Sequence, residues 1–158
     1  MDYDRFILIW NDHGAAMQVG ARELERIVGV RPDVLRDWRR RGLLADIGVR
    51  KGEAWYYDRV DLLILSILKA LLAEGLRIES AIDAAFGISC FVTGRLELPL
   101  DDKPDLAVVF PDQDGEISVA RIEDMLGLAR ISCPASLVID LVKLTRDLPE
   151  GVRNIWST

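Results

Sequence analysis

The 158-residue sequence has few of the side chains that carry catalysis, metal binding or covalent cross-linking. It contains two cysteines, Cys90 and Cys133, in no CxxC motif, and a single histidine, His13. Disulfide frameworks and zinc knuckles need several cysteines or a Cys/His cluster at short spacing. Neither cysteine has a base nearby in the sequence that would activate it as a nucleophile. We therefore expect reduced cysteines, no metal, no cofactor, no catalytic residues and no enzymatic activity.

Long apolar segments are also absent. The longest, residues 62–72, is interrupted by Ser66 and Lys69, and it is shorter than the ~20 residues that a membrane-spanning helix needs. Residues 6–10, a candidate strand, are too few for the core of a signal peptide. These observations predict a cytoplasmic protein with no membrane partner.

Positive charge is scarce overall but concentrated locally. The chain has 20 Lys and Arg against 26 Asp and Glu, and a net charge of −6. Residues 1–86 hold 13 bases and 14 acids, whereas residues 87–158 hold 7 bases and 12 acids. Residues 36–51, however, contain six bases and only two acids. A local basic patch on an acidic chain still permits contact with nucleic acid, and the acidic second half permits a protein partner.

The basic patch falls on a pattern of helix, turn, helix and hairpin. Residues 21–28 have apolar positions at helical spacing and are followed by Gly29, which favours a helix end. Pro32 suits the first turn of a second helix, residues 32–41, with an apolar face inward and bases outward. Residues 46–57 alternate as a hairpin with bases at its tip. Trp38 and Tyr57 are expected in the core.

A mostly apolar helix follows the hairpin. Asp58 is a suitable N-cap and Asp61 a favourable first-turn acid for a helix that continues to about Glu74. Apolar residues cover nearly its whole circumference, so it must be buried on more than one side. We expect exposed apolar surface around residues 60–72, together with the C-terminal unit, to hold a homodimer.

The second half has weaker signals. We predict a helix over residues 78–86, a loop over 98–105, a strand over 106–110 and a turn over 112–116. Residues 119, 122, 126 and 129 have helical spacing. Residues 137–139 are strand-like before a helix over 141–148, although one continuous helix over 135–148 fits the same pattern. The fold class is therefore α+β, with a small α/β unit at the C-terminus.

The N-terminal half contains a series of short segments in a fixed order: AREL at 21–24, VGV at 28–30, LRDWRRRGLL at 35–44, residues 57–62, and EGL at 74–76 with Ile78, Glu79 and Ile82. In order and spacing these segments resemble the winged helix-turn-helix domain of the MerR family of bacterial transcription regulators. The resemblance implies a recognition helix in the major groove, a wing on the DNA backbone, and dimers on palindromic double-stranded DNA. On this basis Arg36, Arg50 and Lys51 are expected to contact DNA. The basic face and charge run of the second helix add Arg39, Arg40 and Arg41 to the expected DNA-binding residues.

The chain also departs from the family pattern. Asp37 and Trp38 replace two adjacent aromatics, and Asp37 is expected to pair with Arg40 or Arg41. Trp55 occupies a wing position that is commonly Arg. Pro99 and Pro104 prevent the family's long dimerisation helix, so a dimer must be built differently.

Two functions follow from these patterns. The first is a bacterial or phage MerR-like transcriptional regulator with a DNA-binding domain over residues 1–88. Residues 89–158 then form a small α/β unit for dimerisation or partner binding. The alternative is a winged-helix protein-interaction module without sequence-specific DNA binding.

Overall fold

The first half of the chain forms a helix-turn-helix, a hairpin and two longer helices. The computed structural model describes residues 17–96, 105–112, 114–122 and 137–156. The strand expected at residues 6–10, most of the loop expected at 98–105, and positions 126 and 129 lie outside these ranges. The elements of this half are β1 (Val19–Gly20), α1 (Ala21–Val28), α2 (Pro32–Arg40), β2 (Val49–Lys51), β3 (Ala54–Tyr57), α3 (Arg59–Ala73) and α4 (Ile78–Leu96).

The turn between α1 and α2 forms as its residues predict. Gly29 has a φ of 75°, and its N–H donates to the carbonyl of Glu25, which ends α1. A positive φ is accessible to glycine at little cost, so this turn favours it. Pro32 occupies the first turn of α2, where its missing N–H is not needed. The helix ends at Arg40, one residue earlier than predicted.

The hairpin forms a small three-stranded sheet. β3 lies in the centre and pairs antiparallel with β1 and β2. In the hairpin, Arg50 pairs with Trp55 and Lys51 with Ala54. Gly52, with a φ of 63°, lies in the turn that follows. The two bases therefore lie on β2, directly before the tip of the hairpin.

The start of α3 is a reciprocal capping arrangement. Asp58 Oδ1 accepts from the backbone N–H groups of Val60 (2.8 Å) and Asp61 (2.9 Å). Asp61 Oδ2 accepts from the backbone N–H of Asp58 at 3.0 Å. Three backbone N–H groups at the start of the helix, which have no partner within the helix, are thereby satisfied. The predicted capping role of Asp58 is confirmed, and Asp61 takes part in it.

The apolar surface of α3 is covered by the chain itself. Every residue from 61 to 68 is buried, as is Leu71. In the described parts of the chain, the exposed large apolar side chains are Val49 and Val138, which retain 55% and 46% of their accessible surface. The expectation that α3 presents an apolar dimer surface is therefore wrong, because intramolecular packing already buries that helix.

Helix α4 is about twice as long as predicted. The sequence pattern ends it at Phe86, before Gly87, whereas the structure continues it to Leu96. Gly87 does not end the helix; it allows a close approach. A Cβ at this position would lie 2.9 Å from Cγ2 of Val119. Glycine thus lets a strand of the C-terminal sheet pack directly on the backbone of α4.

The C-terminal half contains a second antiparallel sheet and two short helices. In the sheet, β4 (Leu106–Pro111) is central, between β5 (Ile117–Ile122) and β6 (Leu137–Asp140). Along the chain, β6 is followed by α5 (Leu141–Asp147) and α6 (Glu150–Trp156). The predicted strand at 106–110, the turn at 112–116 and the strand-then-helix reading of residues 137–148 are confirmed. The continuous helix is excluded. The helical reading of Val119 and Ile122 is wrong, because both residues pair with β4.

Helix α6 returns to the N-terminal half. A Cβ at Gly151 would lie 3.1 Å from Cγ2 of Ile27 on α1. The Arg59 guanidinium, at the start of α3, lies 4.5 Å from the ring centroid of Trp156. Buried residues from both halves form one continuous core cluster. Residue 88, where the sequence suggests a domain boundary, lies inside α4.

Candidate nucleic-acid interface

The outward face of α2 carries two of the predicted DNA-binding arginines. Arg36 and Arg40 are exposed, while Leu35 is buried and Trp38 packs against the core. This separation follows the amphipathic pattern of the helix. Within the described residues, the Arg36 guanidinium makes no hydrogen bond or ion pair. It is therefore available to a ligand.

The two bases at the end of α2 are paired with acids. Arg40 Nη2 lies 2.5 Å from Asp37 Oδ1, and 81% of the Arg40 side chain is exposed. Arg41 Nη2 lies 2.9 Å from Oε1 of Glu79, in the first turn of α4. Exposed ion pairs are worth only about 0–1 kcal/mol, so phosphate groups can compete for both arginines. Of the two partners expected for Asp37, Arg40 and Arg41, the structure shows Arg40.

Arg39 differs from its neighbours because its side chain turns into the domain. Its Nη1 donates to the carbonyl of Leu44 at 3.1 Å, and its Nη2 donates to the carbonyl of Ile47. Its guanidinium carbon lies 3.3 Å from the ring centroid of Trp55. Nη2 also lies 3.4 Å from the hydroxyl of Tyr57, which is buried as expected. The Arg39 side chain therefore lies between α2 and the hairpin.

The wing presents Arg50 and Lys51 on an exposed strand. Arg50 Nε donates to the carbonyl of Gly52 at 3.1 Å, and the other guanidinium nitrogens make no hydrogen bond or ion pair within the described chain. Lys51 Nζ donates to Oε1 of Gln18 at 2.5 Å and lies 5.8 Å from the ring centroid of Tyr56. Both bases lie on β2, whose three residues are all exposed.

One further base was not singled out by the sequence. Arg31 is the N-cap residue of α2, and its exposed side chain pairs with Asp33. A base here lies at the N-terminus of α2, where the helix end also favours anions. The signal that identifies it is its position directly before Pro32.

A buried carboxylate lies beneath the wing. Burial raises the pKa of Asp61 to about 6, and the nearby Asp58 carboxylate acts in the same direction. Hydrogen bonds from the backbone N–H groups of Asp58 and Gly48 oppose the shift, as does the charge of Arg39. Asp61 thereby connects the start of α3 with the residue that precedes β2. The sequence places it in the first turn but does not show that it is buried.

The described chain offers no obvious metal-binding cluster. No group of three or more His, Cys, Asp or Glu residues converges within residues 17–96, 105–112, 114–122 and 137–156. Among the helices in those ranges, none is long and apolar enough to cross a membrane.

The two helices, the hairpin and the capped third helix define a winged helix-turn-helix protein. Residues 21–85 match the family described as MerR HTH family regulatory protein. This match confirms the resemblance drawn from the sequence and covers α1, α2, the wing, α3 and the first part of α4, which is less than half of the chain. The matched domain is that of a family of DNA-binding regulators. A search of the curated proteins found no match.

Proposed function

We propose that this protein is a DNA-binding transcriptional regulator of a bacterial or phage cytoplasm. The recognition helix, residues 32–41, enters the major groove, and the wing, residues 46–57, lies on the DNA backbone. The observation that carries the proposal is the exposed, unpaired guanidinium of Arg36 on the outward face of α2, beside a wing with two further bases. A planar guanidinium with several donors is suited to the paired acceptors of guanine in the major groove.

The remaining bases take roles that follow from their positions. Arg40 and Arg41 exchange their exposed carboxylate partners for DNA, Arg40 at the groove and Arg41 at the backbone. Arg50 and Lys51 contact phosphates, which need only positive charge and contribute on every sequence. Arg39, also expected among the DNA contacts from the sequence, is the one base of this set whose guanidinium is engaged inside the domain.

The first prediction tests the recognition helix. Replacing Arg36 by Ala is expected to weaken binding to a specific site by about 1–3 kcal/mol, because a bidentate base contact is lost. The change in unfolding free energy should stay under about 0.5 kcal/mol, since the side chain is exposed. Binding is measured by fluorescence anisotropy at one fixed salt concentration, on fragments of the protein's own promoter region.

A matched control removes one exposed base elsewhere. Lys143 lies on α5 and forms an exposed ion pair with Asp147, so Lys143→Ala lowers the net charge equally without touching the recognition helix. Specific affinity should be retained in this control. Equal affinities for Arg36→Ala and Lys143→Ala would contradict the placement of α2 in the groove.

The second prediction concerns the wing. The double variant Arg50→Ala/Lys51→Ala should bind all sequences less tightly, and the slope of log K against log salt should become shallower by up to ~1.8, because two phosphate contacts are lost. The slope is measured by titration over a range of salt concentrations. A slope equal to that of the unsubstituted protein would mean that the hairpin points away from DNA.

The proposal includes a homodimer. Two recognition helices about 34 Å apart would match successive major grooves of a palindromic site. Because α3 is covered within one chain, we assign the dimer contact to the acidic C-terminal unit, which is also the surface for a protein partner. Light scattering at tens of micromolar, with and without DNA, measures the stoichiometry. A monomer under both conditions would contradict the dimer.

A second candidate function is a protein-interaction module. The carboxylates that neutralise Arg40 and Arg41, together with the net charge of −6, favour it. Such a module would bind all DNA fragments equally weakly, whereas a regulator must bind its own site more tightly than unrelated DNA at the same salt concentration. The anisotropy measurement therefore separates the two functions.

A further inference from the structure

Arg39 connects the recognition helix to both sides of the hairpin. Its two terminal nitrogens donate to the carbonyls of Leu44 and Ile47, in the segment that leads into β2. The face of the same guanidinium stacks on Trp55, in β3, at 3.3 Å. One side chain on α2 thus contacts the chain before the hairpin and its returning strand.

Trp55 carries this contact to the DNA-facing surface. It is the residue that pairs with Arg50 across the hairpin. A side chain that fixes Trp55 therefore fixes the strand position opposite a proposed phosphate contact. Stacking between a guanidinium and an indole ring, combined with hydrogen bonds to two carbonyls, holds the group in one plane.

The space beside Arg39 is shaped for this side chain. A Cβ at Gly48 would lie 2.9 Å from Arg39 Nη2 and 3.0 Å from the carbonyl oxygen of Tyr56. The φ of Gly48 is 79°, a conformation that also favours glycine. The chain thus passes Arg39 closely where the hairpin begins.

We infer that Arg39 is a positioning residue, which holds the wing at a fixed distance and angle from the recognition helix and does not itself touch DNA. The inference rests on the DNA-binding function proposed above. It assigns Arg39 a different role from Arg36 and Arg40 on the same helix. A phosphate contact by Arg39 would require its bonds to Leu44 and Ile47 and its stacking on Trp55 to be given up.

The test compares the effect of Arg39 in two backgrounds. Arg39→Gln is introduced into the unsubstituted protein and into the Arg50→Ala/Lys51→Ala variant, and the salt slope of DNA binding is measured for all four proteins. If Arg39 acts through the wing, the single substitution makes the slope shallower, and it has no further effect where the wing bases are gone. A direct phosphate contact would lower the slope by a further ~0.9 in both backgrounds, and that additivity would overturn the inference.

A second measurement does not depend on DNA. Hydrogen exchange of the amides in the wing, residues 46–57, is compared for the unsubstituted protein, Arg39→Gln and the matched control Arg40→Gln, which alters an exposed neighbour on the same helix. We expect at least about tenfold faster wing exchange in Arg39→Gln alone, since about 1.4 kcal/mol of lost local stability corresponds to a factor of ten. Unchanged exchange would overturn the inference even if DNA binding fails.

The conservative variant keeps the test decisive if Arg39→Gln does not fold. Arg39→Lys retains the charge but lacks the planar group that stacks on Trp55 while bonding two carbonyls. Faster wing exchange and a shallower slope in Arg39→Lys support positioning. A lysine that preserves both values overturns it. Failure of the unsubstituted protein to bind DNA would contradict the proposed function and leave the exchange result to decide the role of Arg39.

Discussion

Replacing Asp105 by Ala is expected to lower the free energy of unfolding by about 3–5 kcal/mol, because it removes one partner of a buried charge cluster. Asp105 is only 5% exposed. Its carboxylate receives two hydrogen bonds from Arg121 at 2.6 Å and one from Arg95 at 2.5 Å. Arg95, which retains 10% exposure, cannot readily replace this partner with water. Arg121 is half exposed and can, which favours the lower end of the range.

The same cluster makes stability depend on pH. Burial alone would raise the pKa of Asp105, but the hydrogen bonds and charges of Arg121 and Arg95 outweigh it and hold the pKa below its usual value. A lowered pKa in the folded state stabilises the protein above the unfolded pKa, and this contribution is lost as the pH falls through the folded pKa.

Urea unfolding at neutral pH measures the expected loss. The control is Asp147→Ala, which breaks the exposed pair with Lys143 in the same half of the chain and should cost under about 1 kcal/mol. A similar small loss for both variants would show that the Asp105 cluster contributes no more than a surface ion pair.

Asp61 is expected to give the opposite pH dependence. Because its pKa is raised by burial to about 6, the folded protein retains a proton that the unfolded chain has lost. The unfolding free energy should therefore fall as the pH rises from about 4 to above 6. A shift of this size corresponds to about 3 kcal/mol.

The variant Asp61→Asn isolates this contribution. Asparagine keeps an oxygen that can accept from the backbone N–H of Asp58 but cannot ionise. The stability of the variant relative to the unsubstituted protein should therefore increase by about 3 kcal/mol between pH 4 and pH 7, as other titrating groups cancel in the difference. The measurement is urea unfolding across that range, with circular dichroism to verify the fold at each pH. A difference that does not change with pH would mean that Asp61 titrates alike in both states.

The N-terminal elements were predictable because their signals are local. Gly29, Pro32 and Asp58 each act on backbone groups within a few residues, so their positions alone indicate where helices end or begin. The alternation of residues around Trp55 likewise indicated the hairpin. None of these features depends on a distant partner.

The features that the sequence did not reveal depend on contacts between distant segments. Glycine is typical of a helix end, so Gly87 predicted one. In the structure the helix continues past Gly87, and Val119 packs against it. Val119 and Ile122 fit helical spacing, and their pairing with β4 makes them a strand. The helical periodicity of α2 predicts that Arg39 lies near the outward face. Its side chain is nevertheless long enough to reach Trp55. The burial of Asp61 was hidden for the same reason.

The return of α6 to the helix-turn-helix limits how this protein can be recombined with others. Gly151 packs against Ile27, and Trp156 covers Arg59, so the packing surfaces of α1 and α3 are completed by residues far outside the family match. A chimera made by joining residues 21–85 to a foreign effector domain would uncover part of those surfaces. Its designer would have to include the helix Glu150–Trp156 or substitute polar residues where that helix now packs.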